Sequence, residues 1–229
     1  FLNFSTGLLF AMICAPAANA ADAPLIDLEL WRQYRHTVRR PAAALHPADL
    51  ERARRNIERY AWASGYRDSV VRSAERWVAT VTEDYVRDMI PDTTPGEILF
   101  TPCAGCRDAR KSGHPHGNYK WVHTEPDKMT CTYCGTTYPS EKYPETEVIE
   151  TKWGKPQRFT FYGGDTFSTF SYKNMRPSWS GNLRARKVSH MQSVIASLGE
   201  AYVLTQDLKY AHAVRLILLR FAEVYPYWL

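Results

Sequence analysis

Two Cys-x-x-Cys pairs carry the clearest chemistry in the sequence: Cys103 with Cys106, and Cys131 with Cys134. The pairs are separated by 24 residues, somewhat more than the about 15–20 of a typical zinc ribbon. Two such turns can bring four thiolates to the corners of a tetrahedron, the geometry Zn²⁺ prefers, and four thiolates leave no coordination position open. The chemistry expected is therefore structural, not catalytic. Gly135 follows Cys134 directly, which lets the backbone turn its N–H groups toward sulfur, and Gly105 eases the first turn likewise. Oxidation is the competing chemistry. Once Cys14 is removed with a signal peptide, the four remaining cysteines can also pair as two disulfides in an oxidising compartment, and a redox-active Cys-x-x-Cys is a third reading. His114, His116 and His123 lie in the intervening loop, but four cysteines suffice for a metal, so these histidines read as facing solvent or substrate.

A second group with useful chemistry is Tyr162, Tyr172, Arg176, Trp179 and His190. Aromatic rings stack on sugar faces, and an arginine pairs bidentately with a carboxylate. These five are candidate substrate contacts around the return from the cysteine region to helix. The plain alternative is core packing for Tyr172 and Trp179 and a polar helix position for His190.

Helices must position both groups. Leu28, Trp31 and Tyr34 suggest a short leader helix within residues 25–40. A clear helix begins at His46-Pro47-Ala48-Asp49, where Pro47 suits a first turn and Asp49 faces the positive end of the dipole. Leu50, Ala53, Ile57 and Tyr60 keep helical spacing up to Ser64-Gly65. A second helix places Val70, Ala74, Trp77, Val78, Val81 and Tyr85 on one face and ends by Pro91. Residues 96–175 lose this period and carry short β-like runs at 120–123, 148–153 and 158–162, with a turn at Gly163-Gly164-Asp165. Helical spacing returns from Leu183 through Val188, Met191, Ile195, Leu198, Tyr202 and Val203. A turn at 204–207 leads to Tyr210, Val214, Ile217, Leu218 and Phe221. The fold class expected is mainly α, with helix hairpins at 21–95 and 176–229 around a zinc-pinned, β-rich insertion at 96–175. A region of that size with few aliphatic residues has a thin core, which a metal can supplement.

Residues 1–20 carry no charge. Leu8 to Ile13 forms an apolar run, and Ala18-Asn19-Ala20 is a small-x-small cleavage site. This reads as a secretory signal lacking its basic start. The run is too short for a bilayer, which needs about 20 residues, so the expectation is an exported protein, periplasmic or secreted, with no membrane span after cleavage. The chain opens on Phe1 and stops at Leu229 in a helical pattern, as a fragment open at both ends would. The net charge of +5 suits acidic polymers, although the basic residues are scattered and Arg52, Arg54, Arg55 and Arg59 share their helix with Glu51 and Glu58.

Several segments together resemble bacterial heparinase II/III-family proteins. One is His46-Pro47-x-Asp49-Leu50-Glu51-Arg52-Ala53-Arg54-x-Asn56-Ile57. Another is Ala201-Tyr202-Val203-Leu204-Thr205-Gln206-Asp207-x-Lys209-Tyr210-Ala211, followed by Ile217-Leu218 and Tyr225-Pro226. The two cysteine pairs with Gly135, then Tyr138-Pro139 and Tyr143-Pro144, are similar to a metal module inserted in that group. The resemblance implies a partial (α/α) toroid at the start of a polysaccharide lyase that cleaves uronic-acid glycans by β-elimination. Such a reaction needs a group that neutralises the uronate carboxylate, a base for the C5 proton and an acid for the leaving oxygen. In the family an Asn–His pair and a Tyr fill these roles. No Asn-His dipeptide occurs in this sequence, so the catalytic set is expected beyond Leu229.

Three other readings compete. A non-catalytic carbohydrate-binding or scaffold protein would share the helical fold. A tetratricopeptide array fits poorly, because such arrays repeat every 34 or so residues without a long insertion. A zinc-ribbon nucleic-acid binder conflicts with the export signal, and within 103–134 Asp108, Glu125 and Asp127 offset the basic residues.

Overall fold

The computed structural model describes Gln33 and residues 46–96, 98, 100–108, 116–152, 154–168 and 173–228. All of these except Gln33 lie in the unit spanning residues 40–229. The expected signal segment, all of the expected leader helix except Gln33, and His114 and Tyr172 fall outside the described residues. Among the described residues, no helix is long and apolar enough to cross a membrane.

Helix α1 (Pro47–Arg59) begins as the sequence leads one to expect. His46 is extended, Pro47 occupies the first turn, and the Asp49 carboxylate accepts the His46 N–H at 3.2 Å. Its end differs. Tyr60 is extended (φ −123°, ψ 128°), and its carbonyl accepts from Ala63 and Ser64 to start helix α2 (Ala61–Val78). The break expected at Ser64-Gly65 is thus earlier. Gly65 has open space around it and is carried inside α2 at a cost of about 1 kcal/mol relative to alanine. The single helix expected up to Pro91 is in fact two. Helix α2 stops at Val78, and the Thr82 hydroxyl then accepts from Tyr85 N at 3.2 Å to cap helix α3 (Glu83–Met89).

Among the described residues, the β region holds one short helix, α4 (Ala104–Asp108), and five short strands: β1 (Tyr119–Trp121), β2 (Met129–Cys131), β3 (Thr137–Tyr138), β4 (Glu147–Glu150) and β5 (Arg158–Phe161). Strands β1, β2 and β3 form an antiparallel meander in which Tyr119 faces Cys131 and Met129 faces Tyr138. Strands β4 and β5 form a separate antiparallel pair, Glu147 opposite Phe161. The three runs read from sequence correspond to β1, β4 and β5 with shifted ends. Strands β2 and β3 are too short to show an alternation of their own.

Helix α5 (Trp179–Thr205) starts four residues before Leu183 because Ser178 Oγ accepts from Gly181 N at 3.0 Å. Gln206 closes it in the left-handed region (φ 61°), and Asp207 caps helix α6 (Leu208–Val224), accepting from Lys209 N at 3.0 Å. A 3₁₀ turn, Tyr225–Tyr227, follows.

The architecture is mainly α, with six α-helices among the described residues. Helix α5 packs against α2 and α6, and α3 packs against both α5 and α6. Their shared core contains Val70, Ala74, Met89, Met191, Leu198 and Ile217. A second core holds Cys103, Cys106, Tyr119, Met129, Cys131, Tyr138, Trp179 and Leu183, so the start of α5 belongs to the β region's interior. Trp121 packs against both cores. One expectation about α6 is corrected. Leu218 is 52% exposed, and Ala213 and Arg220 take inward positions instead. Arg220 is satisfied there by Ile90 O (3.0 Å) and Asp92 (2.8 Å).

This packing predicts a sharp contrast in urea unfolding. Leu198→Ala removes a side chain with no exposed surface, and should cost about 3 kcal/mol. Leu218→Ala, on the open side of α6, should change stability by less than about 0.5 kcal/mol.

Candidate metal centre

Cys103 precedes α4 and Cys106 lies within it, Cys131 ends β2, and Cys134 sits in the turn to β3. That turn needs Gly135, whose φ is +76°. The Gly135 N–H donates to Cys131 O at 2.9 Å, and Cys131 N–H donates to Thr136 O at 2.8 Å. The Gly135 amide itself braces the turn, while the backbone N–H of Thr136 beyond it reaches the Cys134 sulfur, as the sequence leads one to expect. Gly105 is required for another reason: a Cβ there would lie 2.0 Å from Thr136 Oγ1 and 3.2 Å from Cys134 Sγ. The two cysteine turns meet at that point.

The four sulfur atoms all lie within 4.8 Å of one another. Cys103 and Cys134, and Cys106 and Cys131, each lie 3.5 Å apart. A tetrahedron with metal–sulfur bonds of about 2.3 Å has edges of about 3.8 Å, so the cluster is already close to a ligand set. Three of the cysteines are buried, Cys134 is partly so, and all four thiols are free of disulfides. Among the described residues, these four form the group able to hold a metal ion; neither His116 nor His123 joins it.

Electrostatics favour a cation. Burial pushes the Cys103 thiol up to about 11 and raises Cys106 as well, where hydrogen bonds from Cys131 and Cys134 add to the effect. Burial also works against ionisation of Cys134. Hydrogen bonds from the Thr136 side chain and backbone, then from Cys103 and Cys106, outweigh it and bring that thiol down to about 7. Four thiolates this close repel one another, and a divalent cation is what relieves them. The neighbouring Arg107 turns away, its guanidinium 3.9 Å from the Phe167 ring centre and bonded to Thr166 O at 2.8 Å.

An aromatic shell fixes the ligands. The Tyr138 hydroxyl lies 3.2 Å from Cys103 Sγ and accepts from Gly105 N at 3.3 Å. Burial raises its pKa, so it stays a phenol able to donate to a thiolate. Trp179 stacks on Tyr138 with ring centroids 4.0 Å apart. Its indole N–H is shared between Pro102 O (3.2 Å) and Tyr119 Oη (3.1 Å), and Tyr119 in turn donates to Thr101 O at 3.0 Å. These bonds tie α5 to the loop carrying Cys103 and to β1.

Of the four candidate substrate contacts among the described residues, Tyr162, Arg176 and Trp179 lie together and His190 lies apart. Trp179 is 1% exposed and acts in packing. Tyr162 lies beside it, centroids 5.2 Å apart, and Arg176 donates to Tyr162 O (3.0 Å) and Gly164 O (2.5 Å), bracing the bend at residues 163–165. His190 lies 11 residues further along α5 than Trp179, about 16 Å along the helix axis. It belongs to a different cluster, with Trp77, Tyr85, Trp121 and His123. Neither that cluster nor the Tyr119–Tyr138–Trp179 shell is visible in local spacing, because each joins residues distant in the chain. Compared with known protein families, with curated proteins and with solved structures, the chain matches none.

The centre makes two predictions. Removing metal with a chelator should open residues 101–144 to limited proteolysis while α5 and α6 stay protected. Mild oxidation of the metal-free protein should form Cys103–Cys134 and Cys106–Cys131 crosslinks, the two 3.5 Å pairs, and peptide mapping by mass spectrometry reads this directly.

Proposed function

We propose that Cys103, Cys106, Cys131 and Cys134 hold one structural Zn²⁺, and that this metal fixes the β region to the helices of an exported polysaccharide lyase resembling the heparinase II/III family. The observation that carries the metal assignment is the mutual approach of the four sulfurs within 4.8 Å. A complete set of four thiolates suits Zn²⁺ and leaves no open position for catalysis.

The lyase reading rests on the resemblance of residues 46–57 and 201–211 and of the cysteine module. It is supported by the layout, in which α1–α2 and α5–α6 bracket that module in the chain and α2 packs on α5. On this reading the helices belong to a partial (α/α) toroid, and the substrate is a uronic-acid glycan cleaved by β-elimination. No residue of this chain is assigned a catalytic role. Arg176 holds backbone carbonyls, which argues for bracing rather than uronate binding. A second reading keeps the same fold and glycan but no catalysis, as in a carbohydrate-binding or scaffold protein.

The test is titration of the metal-loaded, full-length protein with a uronic-acid polymer and with a matched neutral polymer, while the absorbance of unsaturated product is followed. Binding confined to the uronate polymer is the expected result. Product formation decides for the lyase over the binding protein. Equal binding to both polymers, or to neither, overturns the reading.

A further inference from the structure

Away from the sulfurs, a group of aromatic and titratable side chains lies where the β1–β2 hairpin meets the helices. His123, just past β1, lies flat on His190 of α5, with ring centroids 5.0 Å apart and planes 5° from parallel. Trp77 of α2 meets each imidazole edge-on at 5.1 Å. Trp121 of β1 meets His190 at 5.7 Å. The Tyr85 hydroxyl of α3 is 3.2 Å from His190 Nε2. Each element framing the pair therefore brings a ring or a hydroxyl. Among the described residues, neither imidazole is in an ion pair with a carboxylate.

The charged groups nearby are committed elsewhere. On α5, Lys187 bridges Asp88 of α3 at 3.0 Å and Asp127 of the hairpin at 2.7 Å. Arg186, one turn before His190, donates to Asn182 Oδ1 at 2.7 Å. Glu125 and Lys128 pair with each other across the hairpin turn at 2.8 Å. On α2, Arg76 turns to Ser73 Oγ at 3.3 Å. Nothing in this set compensates two positive imidazoles placed face to face.

We propose that the His123–His190 stack is an acid-sensitive latch, which holds the β1–β2 hairpin to the helical body while both rings are neutral and releases it when they take up protons. Neutral imidazoles stack as aromatic rings do, whereas two imidazolium ions at this separation repel. Burial, and then the charge of His123, hold the His190 pKa below its ordinary value. The folded protein therefore takes up this proton less readily than the unfolded chain, whose histidines titrate near about 6.5. Stability contributed by the contact is complete above that pH and is lost as the pH falls from there through the lower value of the folded protein. The Lys187 bridge is a second tie between the same parts, so release is local and the hairpin stays tethered.

Hydrogen–deuterium exchange of the metal-loaded protein at about pH 7.5 and about pH 5.5, within the range where histidine switches, tests the latch. After correction for intrinsic rates, amides of residues 119–131 should exchange severalfold faster at the lower pH than at the higher. Amides of α6 should not respond, and metal content is measured at both pH values. His123→Phe keeps an aromatic ring on His190 and removes one proton site, and His190→Gln keeps a partner for Tyr85. Loss of the acid response in either folded variant supports the latch. An unchanged response in both variants assigns the opening to metal loss and overturns it, as does a wild-type hairpin that ignores pH.

Discussion

Four sulfur atoms within 4.8 Å of one another cannot all ionise unless a cation sits among them. That constraint organises the β region. Its strands are two to four residues long, far too short to be stable alone. Its interior is built mainly from the cysteines together with Tyr119, Met129, Tyr138 and Trp179, with few aliphatic side chains. Without the sulfurs drawn together, α4 and the β2–β3 turn would lose what joins them, and Gly105 would have no reason to be so closely approached by Thr136. A metal whose binding energy is folding energy suits such a core.

The helices stand in a different position. Helices α2, α3, α5 and α6 share an aliphatic core that needs no metal. What couples the two parts is aromatic and ionic. Trp179 reaches from α5 into the sulfur shell, Trp121 touches both cores, and Lys187 bridges α3 and the hairpin. The module is thus held at three places along α5, near Trp179, Lys187 and His190.

Much of this was legible in the sequence where the signal was local. Paired Cys-x-x-Cys turns announced the ligand set, because their spacing alone constrains four thiolates. The apolar spacing of Val188, Met191 and Leu198 announced α5. Local signals also misled. Ser64-Gly65 resembled a helix break, but a single glycine with open space around it is tolerated inside α2, and the break fell at Tyr60. Thr82, an ordinary residue within an apparent helical face, proved to be a cap that divides α2 from α3. Leu218 fitted the periodicity of α6, yet the buried stripe runs through Ala213, Ile217 and Arg220 instead. The Tyr138–Trp179 stack and the His123–His190 pair had no sequence signature, since each depends on tertiary packing between segments that carry no mutual spacing. His190 groups with Trp179 by proximity in sequence, but the long axis of α5 separates them.

X-ray absorption at the metal edge of the purified protein tests the central claim most directly. The account predicts one zinc per chain with four sulfur neighbours at about 2.3 Å and no nitrogen or oxygen in the first shell. A shell containing nitrogen or oxygen, or a metal-free protein whose four cysteines are crosslinked, would contradict it.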